Sequence, residues 1–206
     1  MNKDILYLGS QSKPRQKLLE LAGIDYKVLG HKSDECSVDL KDDFKDYVLS
    51  IAKDKMDNII FPLGKQDEKN FVLTADTLVK TEKTNQILGK PKDIQDAKRM
   101  LRLLQKESAL VITGCCLEKK VFKNGEWITK DKNYWTTKTI VEFCVDEDKL
   151  DWYLQKMPQA LNACCAGIIE EYGQGFLKSV NGSYTSVLGL SLYELRQALK
   201  KMGFRF

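Results

Sequence analysis

Residues 71–79, Phe-Val-Leu-Thr-Ala-Asp-Thr-Leu-Val, form an apolar, β-branched run broken by a single acid, Asp76. Such a run reads as a buried strand, where a lone carboxylate is costly unless a cation or hydrogen bonds compensate it. Twelve residues on comes Leu88-Gly89-Lys90-Pro91, and near the N-terminus stands Ser10-Gln11-Ser12-Lys13-Pro14-Arg15. One acid and several anion-binding groups thus punctuate the apolar segments, a pattern that points to a phosphate-handling cleft.

A chain of 206 residues can bury a core and lies at the upper end of the range for one domain, so residues 1–206 are expected to form a single unit. Hydrophobic residues make up 43% and charged residues 30%, the balance of an ordered globular protein. The 33 basic and 29 acidic side chains are scattered together and leave a net charge of only +4. No basic tail or stripe stands out, so no nucleic-acid partner is expected. Ile5-Leu6-Tyr7-Leu8 is too short for a signal peptide and no stretch is long enough to span a bilayer, so the expectation is a cytoplasmic protein with no membrane partner. Cysteines 36, 115, 116, 144, 164 and 165 lack C-x-x-C spacing and are expected as buried free thiols. His31 is the only histidine, which excludes a His-rich metal site and leaves a nucleophile-histidine pair one imidazole to draw on. Carboxylates and a metal ion remain as the means of catalysis.

Along the chain, Ile5–Leu8 reads as a strand leading through a polar loop into an amphipathic helix from Arg15 to Ala22, with Ser12 as candidate N-cap, Pro14 in the first turn and Gly23 as the stop. The free backbone N–H groups there would face an anion. Tyr26–Leu29 reads as a strand, 30–40 as a polar loop, and 42–60 as a helix stopped by Pro62. Lys53 and Lys55 fall on different faces of that helix, where lysines are ordinarily solvated surface. Asp93 can cap a helix carrying Ile94, Ala97, Met100, Leu101 and Leu104 on one face. Three strands follow, 109–117, 126–130 and 134–143, with Asn124-Gly125 as the hairpin signal. Asp146 is expected to cap a short helix ending near Pro158, and Ser191 with Glu194 to form a capping box opening the last helix. Strands and helices mix, with hairpins in the second half, so the fold class is α/β around a mixed sheet flanked by helices.

Phosphoanhydride hydrolysis needs a divalent cation, a carboxylate to hold it or orient water, and cationic groups to clamp the leaving pyrophosphate. Asp76 with Asp34 and Glu35 could share Mg²⁺, while Ser10, Ser12, Lys13, Arg15, Lys55 and Lys90 could contact phosphate oxygens. There is no G-x-x-x-x-G-K-[ST] loop, so a P-loop enzyme is disfavoured.

These residues, in this order, resemble the Maf family of nucleoside triphosphate pyrophosphatases, related in fold to inosine triphosphate pyrophosphatases. Leu8-Gly9-Ser10-Gln11-Ser12-Lys13-Pro14-Arg15 is similar to the family's opening loop and helix, Asp34-Glu35 to its acidic pair, and Tyr47-Val48 through Lys55 to the helix ending in a functional lysine. Ala75-Asp76-Thr77 matches the signature of the catalytic aspartate, followed by Ile87-Leu88-Gly89-Lys90-Pro91, Thr113-Gly114 and Gly182-Ser183-Tyr184 through Leu192. The resemblance implies two lobes around a nucleotide cleft and hydrolysis of a nucleoside triphosphate to the monophosphate and pyrophosphate. It implies Asp76 as catalytic carboxylate, Glu35 and Asp76 as ligands of Mg²⁺ or another divalent cation such as Mn²⁺, and Ser10, Ser12, Arg15, Lys55, Thr77, Lys90 and Glu171 as substrate contacts. A homodimer is part of the same expectation. Alternatives are a general nucleotide phosphatase and a nucleotide-binding regulator of septum formation with little catalysis.

Departures from the family pattern matter, among them Ala109 where the family often carries a histidine. Lys13-Pro14-Arg15 stands where the family has Pro-Arg-Arg, so a less directional charge replaces one arginine. Cys165-Ala166-Gly167 resembles the branch acting on 7-methylguanosine triphosphate, whereas Asp76-Thr77 resembles the branch acting on thymidine and uridine triphosphates, which leaves the base open. The acid or amide that follows Ala-Gly in the family falls on Glu170 or Glu171.

Overall fold

The computed structural model describes residues 3–33, 39 and 43–206. Thirteen helices and strands stand out among them. They are β1 (Leu6–Leu8), α1 (Lys13–Leu21), β2 (Tyr26–Val28), α2 (Phe44–Asp57), β3 (Lys69–Thr81), β4 (Ile87–Leu88), α3 (Ile94–Lys106), β5 (Ala109–Lys123), β6 (Glu126–Phe143), α4 (Leu150–Lys156), β7 (Leu177–Asn181), α5 (Tyr184–Val187) and α6 (Leu192–Lys201). The chain divides into two compact units. The first is Met1–Asp76, Thr113–Thr137 and Leu188–Phe206, and the second is Thr77–Ile112 and Lys138–Val187.

In the first unit the strand order is β2-β1-β3-β5-β6. β1 pairs in parallel with β2 (Leu6 opposite Tyr26) and with β3 (Leu6 opposite Phe71, Leu8 opposite Leu73). Side chains alternate across a strand, and β3 buries both of its faces. Phe71, Leu73 and Ala75 enter a core with Leu6, Leu8, Leu19 and, from α6, Leu195 and Leu199, while Val72 on the other face packs with Ala52 and Met56 of α2. This is why residues 71–75 do not alternate between apolar and charged side chains as a half-exposed strand would.

In the second unit β4 pairs antiparallel with β3 (Val79 opposite Leu88), and β7 antiparallel with β6, with a register shift between Glu142 and Phe143. Parallel and antiparallel pairs together make the mixed sheet expected of the sequence. α3 buries Ala97, Met100, Leu101 and Leu104, and its N-cap Asp93 accepts a bond from the Asp96 amide at 2.8 Å. Ile94, expected on the same face, is exposed because it opens the helix.

Several local expectations change. α2 spans Phe44–Asp57 rather than 42–60; the Asn58 side chain donates to the Asp54 carbonyl at 2.9 Å and closes the last turn before Pro62 is reached. Strands expected at 126–130 and 134–143 are one strand, β6; Asp131 and Lys132 between them are exposed, and a solvated polar stretch does not interrupt a ladder. β5 likewise runs on to Lys123, where Asn124 and Gly125 both adopt left-handed φ (54° and 88°), as a tight primed hairpin turn requires. Ser12, Asp146 and Ser191 occupy N-cap positions, but none of their side chains caps its helix. The Ser191 hydroxyl instead accepts from Trp135 Nε1 at 2.9 Å, so the capping box with Glu194 does not form. Cys115, Cys116 and Cys165 are buried, Cys144 and Cys164 only half-buried, and all five are free thiols; Cys36 lies outside the described residues.

Candidate active site

Counting along β3 by twos from Val72 reaches Thr74 and then Asp76, so the acid points to the face that α2 covers. On α2, Lys55 follows Ile51 and Ala52 by four and three residues and therefore sits in the same stripe as the buried Val48, Ile51, Ala52 and Met56. The two charges meet. Lys55 Nζ lies 2.6 Å from Asp76 Oδ1, with the residues 4% and 6% exposed. The generic expectation of a solvated lysine fails at Lys55 because its position on the helix is apolar; Lys53, on the opposite side, is exposed. Thr74 Oγ1 donates to the Ala52 carbonyl at 2.7 Å and pins the strand to the helix one step before the acid.

Ser10 stands just past the end of β1, as Asp76 stands just past the paired stretch of β3, and β1 and β3 are parallel. Carboxyl ends of parallel strands are where open α/β sheets bind ligands. The chain reaches Ser10 through Gly9, whose amide donates to the Leu73 carbonyl at 2.8 Å. A Cβ at Gly9 would stand 2.6 Å from Ile59 Cδ1 and 2.8 Å from Thr74 Cγ2, so a side chain there would have to displace Ile59 and Thr74. Ser10 Oγ accepts from the Ser12 amide (3.3 Å) and from Arg15 Nη1 (3.0 Å), and Arg15 Nε donates to the Gly189 carbonyl at 2.7 Å. Arg15 is buried and ties the loop to the start of the last helical segment. Sequence alone did not point to Gly189 as its partner, since the two are separated by 174 positions.

Thr77, Lys90 and Glu171 belong to the second unit. Thr77 is half-buried on β3, Lys90 is exposed after β4, and Glu171 is exposed with φ of 49° while accepting from Gln159 Nε2 at 3.3 Å. Glu170 is half-buried. Glu35 and Asp34 lie outside the described residues.

Among the described residues no three His, Cys, Asp or Glu side chains cluster to hold a metal ion. Mg²⁺ does not ask for such a cage, because it typically takes one or two carboxylates and completes its shell with water and substrate phosphates. Asp76 is a hard oxygen donor of that kind, so the residues present fit a cation shared with a phosphorylated substrate.

A second buried carboxylate in the same unit has its bonds supplied by neighbouring side chains. Glu118 accepts from Thr129 Oγ1 (2.7 Å) and the Tyr134 hydroxyl and pairs with Lys120 Nζ at 2.6 Å. Burial works to raise its carboxyl, but the bonds from Lys120, Tyr134 and Thr129 win and hold it below the usual glutamate value. Two cavities in this unit lie apart from Asp76: one of about 590 Å³ lined by Lys69, Lys119, Lys123 and Lys130 with Asp67 and Asp131, and one of about 260 Å³ beside Trp135 and Tyr193.

Residues 5–202 match the family described as Maf-like protein. A dTTP/UTP pyrophosphatase of Fusobacterium nucleatum subsp. nucleatum is 32% identical over 204 residues, covering 97% of this chain and 96% of the relative. A protein of the same description from Acholeplasma laidlawii is 32% identical over 202 residues, covering 95% of each, and one from Clostridium botulinum strain Okra is 31% identical, covering 96% and 97%.

Proposed function

Since the chain belongs to the Maf-like protein family, we propose that it hydrolyses dTTP and UTP to the nucleoside monophosphate and pyrophosphate. The observation that carries this is the Lys55–Asp76 pair at 2.6 Å, a charged couple held in an otherwise apolar strand and helix stripe. Burying such a pair costs desolvation that its attraction only partly returns, so it is weak as a stabilising device and calls for another use. Asp76 orients the attacking water, and Lys55 compensates its charge while presenting an ammonium to phosphate oxygens. Ser10, Ser12 and Arg15 hold the N-terminal loop in place for the phosphates, with Arg15 acting in large part through Ser10. Thr77, directly after Asp76, and the exposed Lys90 and Glu171 are assigned substrate contacts in the second unit. Asp76 together with Glu35 would hold Mg²⁺, which supplies neutralisation of the phosphate charge that builds as pyrophosphate leaves. The names of the relatives and the Asp76-Thr77 likeness favour pyrimidine triphosphates over the 7-methylguanosine type suggested by Cys165-Ala166-Gly167.

The test is an assay of dTTP, UTP and 7-methylguanosine triphosphate with Mg²⁺, separating pyrophosphate from orthophosphate. The expected outcome is pyrophosphate and monophosphate from the two pyrimidine nucleotides. Orthophosphate as the first product would move the cut to the outer phosphate, and turnover confined to the methylated nucleotide would overturn the base assignment.

A further inference from the structure

Two consecutive non-glycine residues in the second unit, Cys165 (φ 55°, ψ 14°) and Ala166 (φ 54°), adopt the left-handed conformation. For side-chain-bearing residues this is unfavourable, and it persists only where the surroundings over-determine it. Here they do. The Cys165 amide donates to the Gly89 carbonyl at 2.8 Å, and Cys164 Sγ donates to the Thr77 carbonyl at 3.4 Å. From behind, the fully buried Tyr153 donates its hydroxyl to the Ala166 carbonyl at 3.0 Å and accepts the Ile168 amide at 2.9 Å. One phenol therefore grips the loop over residues 166–168, and through Cys164 and Cys165 the loop grips in turn the two backbone positions next to Asp76 and Lys90. In an ordinary surface turn the strained residues would be glycine or asparagine, exposed and untethered; Cys165 and Ala166 are buried.

We propose that residues 163–168 form a strained brace that sets the positions of Thr77 and Gly89, and that Tyr153 is the positioning residue that holds the brace in shape. The proposal rests on the assignment of Thr77 and Lys90 to the nucleotide. Each link ends on a backbone group, and all but the one from the half-buried Cys164 thiol are donated or accepted by backbone or by the buried Tyr153 hydroxyl. Tyr153 touches no reacting atom; it acts through Ala166 and Ile168 on Cys164 and Cys165, and through them on β3 and the turn before α3. The aromatic cluster of Tyr153 with Phe143 and Phe176, at ring separations of 5.9 and 5.7 Å, accounts for the ring but not for the hydroxyl.

Tyr153→Phe keeps the ring contacts and removes the two bonds. The expected result is hydrogen exchange about tenfold faster, confined to residues 86–92 and 163–168, with KM for dTTP raised about tenfold and kcat within about twofold of wild type. Cys164→Ala, which removes the tether to Thr77, should raise KM by less, and Cys164→Ser should recover most of that loss. It also serves as the test should Tyr153→Phe fold poorly. Unchanged exchange at 86–92 together with unchanged KM overturns the proposal, and so does a uniform loss of protection across the second unit with normal kinetics, the signature of a tyrosine that merely packs. Local loosening at 86–92 in a protein whose wild type releases no pyrophosphate would uphold the brace and remove the assigned reaction instead.

Discussion

Two ion pairs of the same length occupy opposite environments. Lys55–Asp76 and Arg102–Glu147 both close to 2.6 Å, but the side chains of the first are 5% and 8% exposed and those of the second 46% and 62%. The Arg102 guanidinium forks onto both Glu147 oxygens and holds that carboxyl below its usual range, yet water competes for every bond and salt screens the rest. Lys55 and Asp76 gave up their hydration to meet, so each depends on its partner in a way that Arg102 and Glu147 do not. The contrast teaches that distance alone does not separate a dispensable pair from one whose members need each other. Burial does, although the buried Glu118–Lys120 pair of β5 shows that burial alone does not make a pair catalytic.

The largest effect separating the two pairs is expected from Lys55→Ala, which strands the Asp76 carboxylate in the apolar stripe of α2. Denaturant unfolding should show a loss of about 3–5 kcal/mol; a change near zero would erase the distinction between the pairs. An intermediate effect is expected at Glu118, buried like Asp76 but with its bonds filled by neighbours. Its carboxyl is depressed in the folded state, so the stability it contributes is present at neutral pH and lost as pH falls below the ordinary glutamate value of 4.5 toward the lower folded value. Thermal unfolding between pH 7 and pH 3.5 should therefore show Glu118→Gln less stable than wild type at pH 7 and less sensitive to acid, and parallel pH curves would contradict this. The smallest effect belongs to Arg102→Ala, with a melting temperature within about 2 °C of wild type and unaltered turnover. A larger drop would mean that the members of the exposed pair depend on each other no less than those of the buried one.

Much of this contrast is legible in the sequence. Asp76 announces itself because it interrupts an apolar run that reads as a buried strand; Lys55 stands out only through the family resemblance, since a helix lysine reads as solvated surface, and the folded chain shows it in the buried stripe with Ile51, Ala52 and Met56. The hairpin at Asn124-Gly125 and the cap at Asp93 are legible because each is a local requirement met by a local residue. What escapes the sequence is long-range or competitive. Ser191 reads as a helix cap until Trp135, far away in the chain, takes its hydroxyl. Arg15 reads as a phosphate clamp, and only the folded chain shows its guanidinium engaged with Ser10 and Gly189. The left-handed turn at Cys165 and Ala166 has no signal at all, because neither residue type favours it and Tyr153, Thr77 and Gly89, remote in sequence, help to hold it there. The polar stretch inside β6 misleads in the other direction, since solvation of side chains and continuity of a ladder are independent.

The central claim is that Asp76 is buried against Lys55 in order to work on a triphosphate. Pyrophosphate release from dTTP by Asp76→Asn, measured beside its melting temperature, tests it most directly. The account predicts turnover reduced about a hundredfold or more with the fold retained; release at the wild-type rate from a folded Asp76→Asn protein would contradict it.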